Sequence, residues 1–328
     1  MSTSRVYRLL AAALLAALIA LLPVAAAAVS DAAKAQQQQQ QAQPLNNAPV
    51  WREARSEQAG FVTIKTPEAG VLIQSEGITW RALRNGPVTL YGGILLLLVP
   101  SAIGLFYLRK GALKLHEPPS GRMAQRFSAF ERVVHWGTAI SFVVLALSGL
   151  AMLFGKHVVM PVIGHWLNSL LLIVGKNLHN FIGPVFLAFL VLMIVAFARD
   201  NVWDNSDALW IRKAGGLVSG EHVPSGRFNF GEKTWFWIGV TVLGLTVAGS
   251  GLVLDFPIFG QTRGLLQTVN LIHDVAAIVL ILLSLGHIYM GTLGVEGALE
   301  SMKTGEVDET WAKEHHEYWY DQIKAGKS

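Results

Sequence analysis

Four histidines, His135, His179, His273 and His287, lie inside or at the ends of long apolar runs. An ionisable side chain within a membrane span is costly and marks function by default, and imidazole is a standard axial ligand for haem iron. His273 and His287 stand fourteen residues apart in one run, 265–293. On a helix that separation is a rise of about 21 Å and a rotation about 40° short of four full turns. Both rings then point the same way from a single helix, one toward each face of a hydrocarbon core about 30 Å thick. One histidine on each of two other helices would complete two bis-histidine sites stacked across a bilayer. That arrangement moves electrons through a membrane.

The rest of the composition agrees. Of 328 residues, 52% are hydrophobic and only 15% charged, where soluble domains carry about 25%; the chain reads as an integral membrane protein. Its formal charge of +4 is spread over loops, which bears on topology and gives no sign of nucleic-acid binding. With no cysteine in the chain, it cannot ligate an iron–sulfur cluster through thiolates, attach haem by thioethers or form a disulfide. A redox centre held here must use histidine or methionine, and any iron–sulfur wiring belongs to a partner.

The N-terminus reads as a secretory signal over 1–28: Arg5 and Arg8, an apolar stretch from 9 to 22, then small residues from Ala25 to Ala28. A low-complexity segment at 29–49, with six consecutive glutamines at 36–41, is expected to be disordered. The mixed stretch 50–87 is too short for a core of its own and is expected to be an extended periplasmic segment. Five apolar runs follow at 88–108, 133–154, 178–198, 235–254 and 265–293, each long enough to span a bilayer. Histidines 116, 157, 165 and 222 fall in the predicted loops.

Loop charge sets the orientation. Arg109, Lys110, Lys114, Arg122, Arg126 and Arg132 lie between the first two runs, and Arg199, Arg212, Lys213, Arg227 and Lys233 between the third and fourth. The other two connections carry only Lys156, Lys176 and Arg263. The basic loops are expected in the cytoplasm, with the mature N-terminus periplasmic and the C-terminus cytoplasmic, which a cleaved signal also requires. His135 then falls at the same depth as His287, near the inner face, and His179 at the depth of His273, near the outer face. The pairing predicts an inner and an outer haem. Two ligands per site, with no Cys, Asp or Glu at ligand spacing, do not suit zinc or copper; Asp274, beside His273, points to a different face of the helix. Gly137, Gly149, Gly183, Gly286 and Gly291 would leave room for a flat porphyrin against helix backbones.

The residues around these histidines resemble the gamma, or cytochrome b556, subunit family of membrane-bound formate dehydrogenases, related to the cytochrome b subunits of nickel–iron hydrogenases. The matching stretches are RFSAFERVVHW from Arg126 to Trp136, NLHNFIG from Asn177 to Gly183, LIHDVAA from Leu271 to Ala277, GHIYM from Gly286 to Met290, and WAKEHHEYWY from Trp311 to Tyr320. The resemblance covers roughly Gly121 to the C-terminus. It implies an all-α integral membrane protein, a four-helix dihaem cytochrome b core at 121–293. To this are added one extra N-terminal transmembrane helix at 88–108 and a cytoplasmic tail at 294–328.

By the same resemblance the four histidines are axial ligands of two non-covalent b haems. A quinone is reduced near the inner haem, by His287 and the segment carrying Asn229, Gly231 and Glu232. The implied partners are an iron–sulfur beta subunit and, through it, a molybdenum or tungsten pterin alpha subunit that oxidises formate. The implied location is the bacterial inner membrane, and the implied role is electron transfer to quinone rather than formate chemistry. His315 and His316 sit in a charged, aromatic tail expected to form a docking surface. A cytochrome b subunit serving a hydrogenase or thiosulfate reductase, or a haem-free docking anchor, are the alternative readings.

Overall fold

The computed structural model describes Arg55, residues 75–216 and residues 223–326. The expected signal and low-complexity segments, most of 50–87 and His222 lie outside the described residues. The chain divides into two compact units, 1–91 with 256–271, and 92–255 with 272–328.

In the first unit the stretch before the first span is helical where it is described. Helix α1 (Ser75–Leu83) passes through a wide π-turn (Arg84–Val88) into α2 (Thr89–Lys110). The expected extended segment 50–87 is therefore corrected at its described end. Proline has no N–H to give a helix, and Gly86–Pro87 reads as a stop. The widened turn absorbs the missing donor: Thr89 N–H bonds the carbonyls of Arg84 and Gly86, and Thr89 Oγ1 donates to the same Arg84 oxygen at 2.7 Å. Trp80 Nε1 donates to Asn270 Oδ1 at 2.8 Å.

The second unit is a helical bundle with a folded tail. Ser128 and Glu131 form a reciprocal capping box that starts α3 (Ala129–Phe154). A π-turn (Gly155–Val159) leads into α4 (Met160–Phe197). This helix begins eighteen residues before the predicted span at 178, so His165 is helical and His157 lies in the π-turn, neither in an open loop. Pro161 sits in the first turn, where proline is tolerated, and Gly164 breaks the helix with φ 77°. Short helix α5 (Asn205–Arg212) is followed by α6 (Phe230–Thr234), whose π-turn (Trp235–Leu243) continues into α7 (Gly244–Asp255). Helix α8 (Arg263–Tyr289) ends in a further π-turn (Met290–Gly294).

Contacts give the helix directions. A side chain at Gly137 would meet Phe189, one at Gly149 would meet His179, and one at Gly155 would meet Leu172. As numbers rise on α3 they fall on α4, so the two are antiparallel. Helices α6–α7 and α8 are antiparallel by the same test, with Trp235 on His287 and Ser250 on His273. Helix α2 runs parallel to α8, since Gly92 faces Ile278 and Tyr107 faces Tyr289. Among the described residues, four helical stretches are long and apolar enough to cross a membrane: 76–110, 129–201, 230–255 and 263–294. The second contains α3 and α4 folded back on each other, which makes five crossings. Leu97, Leu147, Phe181 and Val195 are exposed, as lipid-facing positions are in a membrane protein.

Strand β1 (Met123–Gln125) pairs antiparallel with β2 (Glu306–Asp308), Ala124 opposite Val307. Helix α9 (Ala298–Lys303) precedes β2; α10 (Glu309–His315) and α11 (Glu317–Lys324) follow it. Ala124, Val307, Trp311, Ala312 and Trp319 form a small core. The tail expected to be a docking surface thus buries its own aromatics, and His316 is 1% exposed.

Candidate functional site

Two histidine pairs meet in the bundle. His135 on α3 faces His287 on α8 with ring centroids 6.3 Å apart. His179 on α4 faces His273 on α8 at 6.1 Å. These are the pairs that loop charge predicted from depth. A metal–imidazole bond is about 2.0–2.1 Å long and a ring centroid lies about 1.1 Å beyond its nitrogen, so imidazoles in trans on one metal stand about 6.2 Å apart, centroid to centroid. Both spacings fit one iron between two rings. Among the described residues no group of three or more His, Cys, Asp or Glu is placed to hold a metal ion. Two nitrogens suit an iron whose other four positions a porphyrin fills.

The pair His179/His273 is held by a repeated device. Ser148 Oγ lies 2.9 Å from His179 Nδ1, and Ser250 Oγ lies 3.0 Å from His273 Nδ1. Each hydroxyl already donates its one proton to the helix, Ser148 to Val144 O at 2.7 Å and Ser250 to Thr246 O at 2.6 Å. Each therefore accepts from the imidazole. The carbonyl of Val247, 3.1 Å from His273 Nδ1, can only accept as well. Nδ1 carries the hydrogen on both rings, which leaves the Nε2 lone pair available to a metal. The glycine after each serine faces the same ring: a Cβ at Gly149 would sit 3.3 Å from His179 Cε1, and one at Gly251 would sit 3.3 Å from His273 Cε1. Helices α3 and α7 thus present one Ser-Gly pair each.

The pair His135/His287 is built differently. Trp235 stacks on His287 at 4.9 Å and 15°, while His135 Nδ1 is buried with no hydrogen-bond partner among the described residues. The two rings line an apolar cleft with about 590 Å³ of empty space, part of it open to the surroundings, together with Phe142, Leu190, Trp235 and Gly239. The apolar lining gives the cleft the character to receive a flat apolar group. Of the glycines expected to make room for a porphyrin, Gly149 lies against the His179 ring, Gly137 faces Phe189, and Gly183, Gly286 and Gly291 have open space beside them.

Asn229, Gly231 and Glu232 start α6. Asn229 Oδ1 accepts from Glu232 N at 3.0 Å, and Glu232 Oε2 accepts from Asn229 N at 2.9 Å. A side chain at Gly231 would meet the Trp210 ring at 3.1 Å. Trp235 follows Glu232 by about one helical turn, so the cap lies one turn from the ring stacked on His287. The Arg126 guanidinium, 5% exposed, donates to Glu232 Oε1 at 3.0 Å and to Arg227 O at 2.9 Å. It also packs against the rings of Phe127, Trp311 and Phe228 at 4.9, 5.1 and 5.7 Å. Arg227 in turn bridges Glu131 and Asp200. His316 Nδ1 donates to Gly226 O at 2.8 Å, and its Nε2 lies 3.9 Å from Glu232 Oε2. Burial, and then the nearby Arg126 cation, push the His316 pKa down to about 3. The ring is therefore neutral at physiological pH.

Sequence reasoning singled out the four histidines and the α6 cap. It missed Ser148, Ser250, Gly251, Trp235 as a stacking partner, Arg126 and the burial of His316. One signal was available: Ser-Gly-Leu occurs at 148–150 and at 250–252, at the same depth on two helices.

The sequence profile of prokaryotic cytochrome b561 matches residues 126–305. The chain is 32% identical over 204 residues to the formate dehydrogenase cytochrome b556(fdo) subunit of Escherichia coli K12, covering 61% of this chain and 92% of that protein. Against the nitrate-inducible formate dehydrogenase cytochrome b556(Fdn) subunit of the same organism it is 31% identical over 215 residues, 63% of this chain and 94% of that one. The formate dehydrogenase cytochrome b556 subunit of Haemophilus influenzae is 27% identical over 197 residues, 58% of this chain and 79% of its own length. All four paired histidines, both Ser-Gly pairs and the α6 cap lie within the profile match. Helices α1 and α2 and the tail beyond residue 305 lie outside it.

Proposed function

The chain belongs to the prokaryotic cytochrome b561 family, and from that premise we propose that it is the dihaem membrane subunit of a formate dehydrogenase. In this reading it passes electrons from an outer iron–sulfur subunit, fed by a molybdenum or tungsten pterin subunit, to quinone at the cytoplasmic side of the inner membrane. The observation that carries it is the geometry of α8. One helix holds a member of each histidine pair, fourteen residues apart, and each pair is spaced for a six-coordinate iron. The names of the relatives supply the partner dehydrogenase.

A b haem bound at each pair supplies a one-electron carrier whose chemistry is its own. The chain's residues hold, orient and insulate. Ser148 and Ser250 keep Nδ1–H on the outer rings, so that Nε2 faces the metal position. Phe142, Leu190 and Trp235 keep the inner cleft apolar and limit water. Helix α8 is a rigid rod that sets the separation of the two sites at about 21 Å along its axis.

At the cytoplasmic end, the α6 cap with Asn229, Gly231 and Glu232 lies beside Trp235 and His287, and we assign quinone to that place. Its carbonyls need hydrogen-bond donors and its reduction consumes protons. Polar groups at the membrane boundary meet both needs. The basic loops, which set the orientation in the sequence, put this end inside.

The test is haem analysis of the purified chain and four variants. Wild type is expected to hold two b haems. His135→Ala and His287→Ala remove the same one, and His179→Ala and His273→Ala the other. A haem-free wild type would leave only the docking-anchor reading, and loss of both haems in every variant would refute the pairing. Subunits that co-purify with the chain separate formate dehydrogenase from a hydrogenase or thiosulfate reductase.

A further inference from the structure

The two histidine pairs differ in one respect that matters for electron flow. Both rings of the outer pair give Nδ1–H to an acceptor: Ser148 for His179, Ser250 and Val247 O for His273. On the inner pair, His135 Nδ1 has no partner among the described residues, and His287 is held by the face of Trp235. A hydrogen bond accepted from the far nitrogen makes an imidazole a more basic ligand. A more basic ligand stabilises the oxidised, more positive iron and lowers its reduction potential, one of the protein's levers on haem.

We infer that Ser148 and Ser250 are positioning residues that set the outer haem at a lower potential than the inner one, and so direct electrons inward. This rests on the dihaem reading above. Their effect is electronic as well as steric, because each hydroxyl reaches the ligand nitrogen remote from the metal. The serine proton is committed to a helix carbonyl on each side, which prevents the hydroxyl from turning to donate. Gly149 and Gly251, lacking side chains, let the His179 and His273 rings approach closely enough for those bonds. Electrons moving toward the negative interior travel against the membrane potential, and a lower outer potential offsets that work.

The experiment is spectroscopic redox titration of the full chain in its complex, solubilised from membranes, for wild type, Ser148→Ala, Ser250→Ala and the pair, with Ser148→Thr and Ser250→Thr beside them. The haem lost in His179→Ala identifies the outer component. Ser148→Ala is expected to shift that component on the order of tenfold toward the reduced form, which is about 59 mV for a one-electron couple, and Ser250→Ala shifts it less, because the Val247 carbonyl still accepts from His273 Nδ1. The inner component stays in place, and threonine, which keeps the hydroxyl, restores the wild-type value.

If alanine instead releases the outer haem while threonine retains it, the hydroxyls anchor the haem rather than set its potential, and the inference falls. The inference is overturned if the alanine variants keep both haems at unchanged potentials, or if threonine shifts the outer component as far as alanine does. A wild type without two haems would refute the dihaem reading instead, and haem content reports that separately from potential.

Discussion

Gly251→Ala and Gly249→Ala should behave as opposites, although they differ by two positions on one helix. Each replaces a helical glycine with alanine, a gain of about 0.5–1 kcal/mol in helix preference. Beside Gly249 there is nothing within 4 Å of the new methyl, whereas at Gly251 it would lie 3.3 Å from His273 Cε1 and 3.7 Å from Nδ1. Carbon atoms sit comfortably at about 3.5–4.0 Å, so the ring must retreat by a few tenths of an ångström. It cannot do so freely, because Nδ1 is tied to Ser250 at 3.0 Å and to Val247 O at 3.1 Å. Overpacking a well-filled site costs about 1–3 kcal/mol, which outweighs the helix gain. If the strain falls on the iron bond, haem is held about 5- to 150-fold less tightly, at 1.4 kcal/mol per factor of ten. Haem transfer to an excess of an apo-globin acceptor, followed by absorbance, measures the loss. Gly249→Ala should retain haem as wild type does and melt slightly higher. Equal haem retention in the two variants would refute the reasoning, since of these two glycines Gly251 alone touches the His273 ring.

Other expectations concern the cytoplasmic end and the orientation. Arg126→Ala takes the cation from Glu232, whose side chain is 36% exposed, so the cost falls below the about 3–5 kcal/mol of breaking a fully buried pair; limited proteolysis is expected to cut the 306–326 tail faster than in wild type. His316 is buried neutral with its pKa near 3, whereas an unfolded histidine titrates near 6.5. The unfolded state therefore binds more protons between those values, so tail stability is intact above pH 6.5 and declines as pH falls toward 3, by at most about 1.4 kcal/mol per unit from this group. Hydrogen exchange of α10 and α11 should show that slope, and His316→Gln should flatten it. Asn229→Ala removes a helix cap worth about 1 kcal/mol, while Asn229→Asp keeps the cap; if Asn229 serves quinone directly, both variants slow quinone reduction with both haems retained, and a normal rate in Asn229→Asp would limit the residue to capping. The absence of native cysteine makes single-cysteine labelling clean. A membrane-impermeant maleimide should reach Ser75→Cys from the periplasm and Lys313→Cys from the cytoplasm, and the reverse pattern would invert the topology.

Much of this protein was legible in the chain. Long apolar runs with few charges dictate membrane helices, because a backbone in hydrocarbon must satisfy its own hydrogen bonds. The fourteen-residue interval between His273 and His287 is a local property of one helix, and loop charge orders the depths of the others, so the pairs could be written from sequence. Helix boundaries were less legible at Pro87 and Gly164, where the chain stays helical through a π-turn and across a single glycine of positive φ. The surroundings of the rings were decided only by tertiary structure. Whether Ser148 faces a lipid or an imidazole depends on how α3 packs on α4, and no period in α3 records its partner's register. The same holds for Arg126 and His316: a charged residue at a span's edge and a histidine in a polar tail look solvated in sequence. They become buried only when β1 pairs with β2, 180 residues later in the chain, and folds the tail over them. Sequence determined which side chains could bind metal and at what depth, because those follow from helix geometry and the cost of charge in lipid. Tertiary packing decided which atoms touch them, because contacts between helices distant in the chain are set by shape and not by local pattern.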